Sequence, residues 1–267
     1  MSRLLLRALI VVALVMFLAP VLWLLTTAYK PARDIFGFPP GLAFDPTLDN
    51  FRAIAGLFDL PRLLGTSLLV SGGATAVGLL LGVPAGYALA RSASRWAMGV
   101  AYLFLAVRMV PPVATLIPFY VQMRDLGLLG TAWAVMLIHG MLGTTLVTWL
   151  MFGQFRALPP VLEEAAMVDG CSRLGAFLRI ALPLAAPGVV AAALLAFMLS
   201  WNDFLFASFL TSARSRTLSV ALLSAYGTRD VTWGTMGALA HLATLPIIVL
   251  ALLLNRFFAA GMTRGVH

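Results

Sequence analysis

Residues 163–188 read EEAAMVDGCSRLGAFLRIALPLAAPG and form a charged insert in a chain that is otherwise mostly apolar. The segment carries three acids and two arginines, whereas the runs on either side carry almost no charge. Pro159 and Pro160 precede it, and proline suits the first turn of a helix. The two glutamates then fall early in the helix, where its dipole favours negative charge. The pattern predicts a short helix that begins near residue 160.

The second half of the insert predicts a turn followed by another short helix. Asp169 and Gly170 form a typical turn pair, and Ser172 is a favourable N-cap residue. Leu182 and Pro183 predict the end of that helix, because proline breaks a helix interior. Apolar residues at helical spacing predict one apolar stripe along an amphipathic helix. The stripe consists of Leu174, Phe177, Leu178 and Ala181.

The insert therefore reads as a helix-turn-helix outside the apolar runs, and two interpretations of it are open. It is either a surface hairpin that links two membrane spans, or an elbow that docks into a cleft of another protein. An exposed acid pair, Glu163 and Glu164, favours docking. The small side chains of Ala165 and Ala166 would let a partner's backbone come close.

The composition of the chain points to lipid as its solvent. Of the 267 residues, 61% are hydrophobic and only 10% are charged, whereas soluble domains carry about 25% charged residues. The net charge of +8 comes without a dense basic cluster, so basic residues beside membrane spans explain it better than nucleic-acid binding. A single cysteine, Cys171, excludes an internal disulfide.

Six runs are long and apolar enough to cross a bilayer, which takes about 20 residues. The sequence thus predicts an all-α, polytopic membrane protein. The first run is too long for the apolar part of a signal peptide, so we expect a retained helix. Basic residues divide almost equally between the two sides, so charge alone leaves the orientation open. The predicted spans are residues 8–29, 63–90, 96–123, 126–155, 180–202 and 231–255.

The runs and loops suggest one membrane domain with a separate first helix. Residues 1–29 form that helix. Residues 30–62 form a loop rich in Pro, Gly and Asp, which predicts irregular backbone. Residues 63–258 form the membrane domain, with the charged insert at 154–183. Residues 259–267 form a tail.

Few polar residues interrupt the spans. Arg108 is expected to face protein or water, because a charge in the membrane is costly, and Pro111 follows it. Asn202 and Asp203 lie at the end of the fifth span. Each of these four residues is either a candidate for the pathway or gate, or an interfacial residue without such a role.

Small residues recur at every fourth position of the second span, where they let two helices approach closely. Helix packing is the first interpretation, and a surface that slides during transport is the second. The residues are Ala74, Gly78, Gly82, Gly86 and Ala90.

The remaining candidates point to packing rather than chemistry. His139 and His241 are single histidines in separate spans, which suits helix–helix hydrogen bonds better than a metal site. Cys171 reads as a small residue at the turn. No catalytic residue and no metal site are predicted.

The insert resembles the EAA loop of permease subunits from binding-protein-dependent ABC importers. The matching residues are Glu164, Ala165, Ala166, Gly170, Ile180, Leu182 and Pro183. Four further segments, RMVPPVATLIPFY, LGLLGT, WNDF and NRFFAAGMTRG, look like the carbohydrate-uptake branch, in particular the maltose-permease-like second subunit.

The resemblance implies the mechanism and the partners. The loop, both termini and the tail would be cytoplasmic, and the loop 30–62 periplasmic, in the inner membrane of a bacterium or archaeon. The first helix of the insert would be a coupling helix that docks on an ATPase subunit, with Glu164 paired to a basic or polar group there and Gly170 keeping the shape of the elbow. Glu163 and Asp169 would belong to the same coupling loop. Expected partners are a second permease subunit, two ATPase subunits, a periplasmic or lipid-anchored solute-binding protein and membrane lipid. ATP and magnesium would be bound by the ATPase, and this chain would catalyse nothing.

A sugar, polyol or sugar phosphate would be the solute. The alternative function is a stand-alone secondary carrier or channel. An intramembrane enzyme is a third possibility, but it needs a nucleophile with a base, or paired acids, within the spans. Neither alternative requires the charged insert.

Overall fold

The computed structural model describes residues 3–37, 43–225 and 232–263. Within these ranges the chain is helical, and its one extended feature is an isolated bridge between Gly130 and Thr211. The helices are α1 (Arg3–Thr27), α2 (Ala32–Ile35), α3 (Asp49–Leu57), α4 (Leu60–Ala90), α5 (Ala97–Val107), α6 (Pro112–Asp125), α7 (Ala132–Ala157), α8 (Val161–Val168), α9 (Arg173–Ala176), a π-helical turn (Phe177–Ala181), α10 (Leu182–Leu184), α11 (Ala186–Trp201), α12 (Leu205–Leu210), α13 (Leu218–Ala225) and α14 (Trp233–Thr263).

Four of the described helices, α1, α4, α7 and α14, are each long and apolar enough to cross a membrane. Two further pairs qualify only when both helices are counted together: α5 with α6, and the helical segment Arg173–Leu184 with α11. The number of spans is therefore four, or up to six. The predicted all-α, polytopic class is confirmed.

The third predicted span is not one straight helix. α5 ends just before Arg108, α6 begins at Pro112, and the two helices meet at an angle of 90°. Pro111 and Pro112 explain the break, because proline has no N–H to donate and restricts the residue before it. A run without charges measures apolarity, but it does not show whether the helix keeps its direction.

The fifth predicted span is also bent, and the predicted break at Leu182–Pro183 is wrong. Helical backbone continues through Pro183 as far as Leu184, and the chain then turns by 75° at Ala185 before α11. Pro183 lies two residues beyond the end of the π-helical turn, where hydrogen bonds skip an additional residue. The missing N–H of the proline is thereby tolerated.

The small residues of α4 lie against α7. A Cβ atom on Gly78 would be 3.2 Å from the carbonyl carbon of Gly143. On Gly82 it would be 2.7 Å from Cβ of Val147. A Cβ would be tight at Gly78 and would clash at Gly82, so the backbones of the two helices approach directly. Lipid provides no hydrophobic drive for association, and close packing of this kind takes its place.

Contacts within the chain define two compact units. One contains Met1–Leu63 and Leu218–Ile247, and the other contains Leu64–Thr217 and Ile248–His267. In the first unit, Asn50 donates from Nδ2 to the carbonyl oxygens of Ala28 (3.0 Å) and Lys30 (2.9 Å). The Lys30 ammonium lies 3.9 Å from the centre of the Trp23 ring. These contacts fix the end of α1 against α3.

The second unit contains the insert and the packed spans. Its core is built from α4, α7, the π-helical turn and α11. Of the predicted tail, residues 264–267 lie outside the described residues. The buried core residues are Val83, Val147, Met151, Phe155, Phe177, Ala181, Ala185, Ala192 and Ala196.

Candidate functional site

The charged insert folds as the predicted helix-turn-helix, and we call residues 158–184 the hairpin. Pro160 precedes α8, as expected for a proline at a helix start. Gly170 has φ of +88°, a left-handed conformation that favours glycine. The Cys171 N–H donates to the Ala166 carbonyl at 2.9 Å and closes the turn. Ser172 caps α9 by accepting from the Gly175 N–H at 3.1 Å.

The two adjacent glutamates of α8 have different environments. The side chain of Glu163 is only 7% exposed, whereas Glu164 lies in solvent. The prediction of an exposed acid pair is therefore wrong for Glu163. Neighbouring residues on a helix point about 100° apart, so one acid can face the protein while the next faces outward.

Arg91, just beyond the end of α4, holds the buried glutamate. Its Nη2 and Nε atoms donate to Oε1 of Glu163 at 2.7 and 3.0 Å. Its Nη1 atom also donates to the Phe155 carbonyl at 2.8 Å, and Nη2 to the Leu158 carbonyl at 3.2 Å. Those carbonyls lie at the end of α7, and the Phe155 carbonyl also accepts from the Leu158 N–H at 3.2 Å. Arg91 thus joins α4, α7 and α8.

Aromatic side chains surround this ion pair. The Tyr87 hydroxyl donates to Oε2 of Glu163 at 2.7 Å, so both carboxylate oxygens are hydrogen-bonded. The Tyr87 ring centre lies 5.3 Å from that of Phe155 and 4.6 Å from that of Phe177. We call these five residues, Tyr87, Arg91, Phe155, Glu163 and Phe177, the Arg91 cluster.

The Arg91 cluster sets the acidity of Glu163. Burial by itself raises the pKa of the Glu163 carboxyl. Hydrogen bonds from Arg91 and Tyr87, together with the positive charge of Arg91, outweigh burial and hold this pKa below its usual range. The folded protein therefore favours the carboxylate form.

This shift predicts a pH-dependent stability difference between wild type and Glu163→Gln. A lowered pKa stabilises the fold above the ordinary carboxyl pKa of about 4.3, and the contribution is lost as the pH falls through the folded-state value. We expect the wild type to unfold at a higher temperature at pH 7, with the gap closing as the pH falls below about 4. Thermal unfolding in detergent, recorded at a series of pH values, measures the difference in unfolding temperature between the two proteins.

Glu164→Gln is the matched control, because the same substitution is made at the adjacent exposed acid. Its unfolding temperature should stay close to that of the wild type throughout. A gap for Glu163→Gln that stays constant from neutral to acid pH would contradict the prediction.

A groove of about 640 Å³ runs beside α8. Charged side chains of both signs line it: Arg91, Glu163, Glu164 and Arg173. On the same helix Ala165 and Met167 are exposed. The outer face of α8 thus combines small, apolar and charged groups.

Beyond the turn, the predicted stripe is only half buried. Phe177 and Ala181 are in the core, but Leu174 and Leu178 are 66% and 50% exposed. The π-helical turn shifts the phase of the helix, so spacing by 3.6 residues does not predict the buried face. The other predicted hairpin residues vary in exposure: Ala166, Ile180 and Leu182 are partly buried, whereas Asp169, Gly170 and Pro183 are exposed.

A second polar site lies among the spans. Arg108 and Asp203, both predicted candidates, line one cavity of about 160 Å³, together with His139, Ser200 and Pro112. Arg108 donates from Nη1 to the Leu142 carbonyl of α7 at 3.0 Å. Pro111 and Asn202 do not line the cavity, and Asn202 bonds the Met198 carbonyl of its own helix at 2.9 Å.

Two histidines contact neighbouring segments, and His139 is the buried one. His139 of α7 is 2.8 Å from the Ser200 hydroxyl of α11 through Nδ1. Its Nε2 atom is 3.2 Å from Oδ2 of Asp203, close enough for an ion pair when the ring is protonated. In the other unit, Nε2 of His241 is 3.4 Å from the Tyr29 hydroxyl. Among the described residues, no three metal-binding side chains come together.

Sequence reasoning missed four of these residues as site members: Tyr87, Arg91, His139 and Ser200. Arg91 is 72 residues from Glu163 along the chain, and nothing in the spacing connects them. A basic residue directly after a span normally reads as an interfacial anchor. The buried pair is visible only in three dimensions.

Long apolar helices, with a small charged cavity between α7 and α11, are typical of a polytopic membrane protein that handles a polar solute. A family model described as "Binding-protein-dependent transport system inner membrane component" matches residues 78–264. This chain therefore belongs to that family, as the EAA-type insert predicts. It is an inner-membrane permease subunit of an ABC importer.

Individual relatives and a solved structure agree with the assignment to this permease family. The chain is 33% identical to the sulfoquinovosyl glycerol transport system permease protein SmoH of Agrobacterium fabrum, over 95% of this chain and 90% of that protein. It is 31% identical to the diacetylchitobiose uptake system permease protein DasC of Streptomyces coelicolor, over 96% and 94%. A crystal structure of a bacterial ABC transporter that imports the acidic polysaccharide alginate has the same fold, with a TM-score of 0.79, 21% identity, and coverage of 96% and 95%.

Proposed function

We propose that the hairpin is the docking element for a separate ATPase subunit and that Glu164 makes the principal contact. The observation that carries this proposal is the opposite placement of two adjacent acids. Glu163 is buried in the Arg91 cluster, so α8 is fixed to the spans, and Glu164 is presented to solvent on the same helix. The two short helices and the glycine elbow give the surface a defined shape.

Docking on an ATPase sets the orientation of the chain. The hairpin and both termini would face the cytoplasm, where ATP is available. ATP and magnesium would be bound by the ATPase subunit, and this chain would hydrolyse nothing. In support, the sequence contains no phosphate-binding loop of the G-x-x-x-x-G-K-[ST] form.

The transport cycle follows from these contacts. When ATP closes two ATPase subunits, the docked hairpins move with them, and the spans change between inward-open and outward-open states. We propose a complex of this chain with a second, different permease subunit, two ATPase subunits and a solute-binding protein. The family description, which names binding-protein-dependent transport, supports the proposal that a solute-binding protein takes part.

We propose a sugar or a related polyol or sugar phosphate as the solute. The two relatives named above carry glycoside and amino-sugar substrates in their names. Arg108, His139, Ser200 and Asp203 line the cavity among the spans with hydrogen-bonding groups of both kinds, as hydroxyl-rich solutes require. Arg108 and Asp203 are the candidate pathway residues.

Co-purification tests the docking proposal. The tagged chain is co-expressed with candidate ATPase subunits and extracted in mild detergent, and the amount of bound ATPase is titrated. Glu164→Ala should weaken binding at least about 30-fold, because loss of one partner in a buried charged contact costs about 2–5 kcal/mol. Gly170→Pro should also weaken it, since proline cannot adopt the positive φ of the elbow.

Asp125→Ala is the control, because it removes an exposed acid elsewhere and should leave binding unchanged. If the ATPase binds wild type and all variants equally, the hairpin is not the docking surface. If no ATPase binds the wild type, the proposed coupling is wrong.

A further inference from the structure

The Arg91 cluster connects the proposed docking helix to two long spans through one arginine side chain. Arg91 comes from the end of α4, Glu163 from α8, and the carbonyls of Phe155 and Leu158 from the end of α7. Phe177 adds the π-helical turn. Three segments, α4, α7 and α8, therefore meet at the Arg91 guanidinium, and the π-helical turn packs beside them through Phe177.

The pair is protected from water, unlike most ion pairs described in this chain. Arg91 and Glu163 are 18% and 7% exposed, whereas Arg52 and Asp49 are 77% and 74% exposed, and Arg124 and Asp125 are 58% and 60% exposed. Water and salt weaken exposed pairs but hardly reach a buried one. The planar guanidinium of Arg91 also fixes the orientation of the Glu163 carboxylate, which a single hydrogen bond cannot do.

The spans beyond the cluster form a stiff pair. α4 packs directly on α7 through Gly78, Gly82 and Gly86, with backbone close to backbone. A close-packed contact of this kind resists small displacements. When the Arg91 cluster moves, the ends of α4 and α7 must therefore move with it.

We propose that Arg91 and Tyr87 are positioning residues for energy coupling: they hold Glu163 so that α8 and the ends of α4 and α7 move as one rigid body. The inference rests on the proposed docking of the ATPase at α8. Glu164 receives the displacement on the outer face of α8, and Glu163, one residue away, passes it through Arg91 to the spans. Without the contact between Glu163 and Arg91, the hairpin would move with the ATPase, but the spans would not move with the hairpin.

Two spin labels measure rigidity directly. Cys171, the only cysteine of the chain, lies in the hairpin and is partly exposed. Leu81→Cys adds a second label at an exposed position of α4 that does not line the groove beside α8. The complete importer is reconstituted in liposomes, and pulsed electron paramagnetic resonance records the distance between the labels without nucleotide and with ATP trapped on the ATPase.

We expect one narrow distance distribution that is the same in both states. In Glu163→Gln the carboxylate charge is lost while the shape is kept, and the distribution should at least double in width and shift when ATP is added. Tyr87→Phe removes a single hydrogen bond and keeps the aromatic packing, so it should broaden the distribution less. Asp125→Asn changes an exposed ion pair and should match the wild type.

Either of two results overturns the inference. One is a wild-type distance that changes with ATP, and the other is a wild-type distribution in both Glu163→Gln and Tyr87→Phe. If Glu163→Gln does not assemble, Tyr87→Phe decides: an unchanged distribution there means that the cluster serves folding only. Absence of an ATPase from the wild-type complex counts against the docking proposal instead, and the nucleotide-free distances still test the rigid link.

Discussion

Arg91→Met is expected to lower the free energy of unfolding by about 3–5 kcal/mol, the usual cost of removing one partner from a buried ion pair. Methionine fills a similar volume but has no donors. It leaves the buried Glu163 carboxylate and the carbonyls of Phe155 and Leu158 without their arginine donor. Unfolding of the purified chain in detergent, by heat or denaturant, measures the loss.

Arg124→Met is the matched control, because Arg124 makes an exposed pair with Asp125. It should cost less than about 1 kcal/mol. Arg91→Met combined with Glu163→Leu should recover part of the loss, since no uncompensated charge is then buried. A loss below about 1 kcal/mol for Arg91→Met alone would show that the pair contributes no more than a surface contact.

Gly86→Ala is expected to destabilise the protein by at least about 1–3 kcal/mol, the range for overpacked cores. The added Cβ would lie 2.9 Å from the Phe152 nitrogen, 2.9 Å from the Thr148 oxygen and 2.8 Å from Cβ of Met151. Two of these are backbone atoms, so the α4–α7 contact must open. The same unfolding assay detects this.

Gly72→Ala provides the comparison on the same helix. A Cβ there meets nothing within 4 Å, so the variant should be neutral or gain about 0.4–1 kcal/mol from the stiffer unfolded chain. Equal effects of the two substitutions would mean that α4 and α7 do not pack as closely as described.

The hairpin was predictable because its signals are local. A proline pair, two early acids, an Asp-Gly turn and a serine cap each act within one or two turns of backbone. The structure confirms the helix start after Pro160, the left-handed Gly170 and the cap at Ser172. The buried glutamate was not predictable, because Glu163 and Glu164 are chemically identical and only the distant Arg91 distinguishes them.

The bent spans were only partly predictable, and for a related reason. Pro111 and Pro112 mark a break, but a break in sequence does not specify the 90° angle that follows, which depends on packing. The break after α10 carries a misleading signal, since Pro183 lies inside helical backbone and the bend falls at Ala185. A π-helical turn precedes Pro183 in the helical backbone, and no simple residue pattern predicts that turn.

The shortness of α11 has a consequence for biogenesis. Its 16 residues reach about 24 Å at about 1.5 Å per residue, less than the hydrocarbon thickness of about 30 Å. It also carries Ser200, whose hydroxyl is bonded to His139 of α7. A helix that is this short and carries a polar side chain partitions poorly into lipid by itself. We therefore expect α11 to enter the lipid already paired with α7, and loss of the His139–Ser200 contact to lower the efficiency with which α11 is integrated.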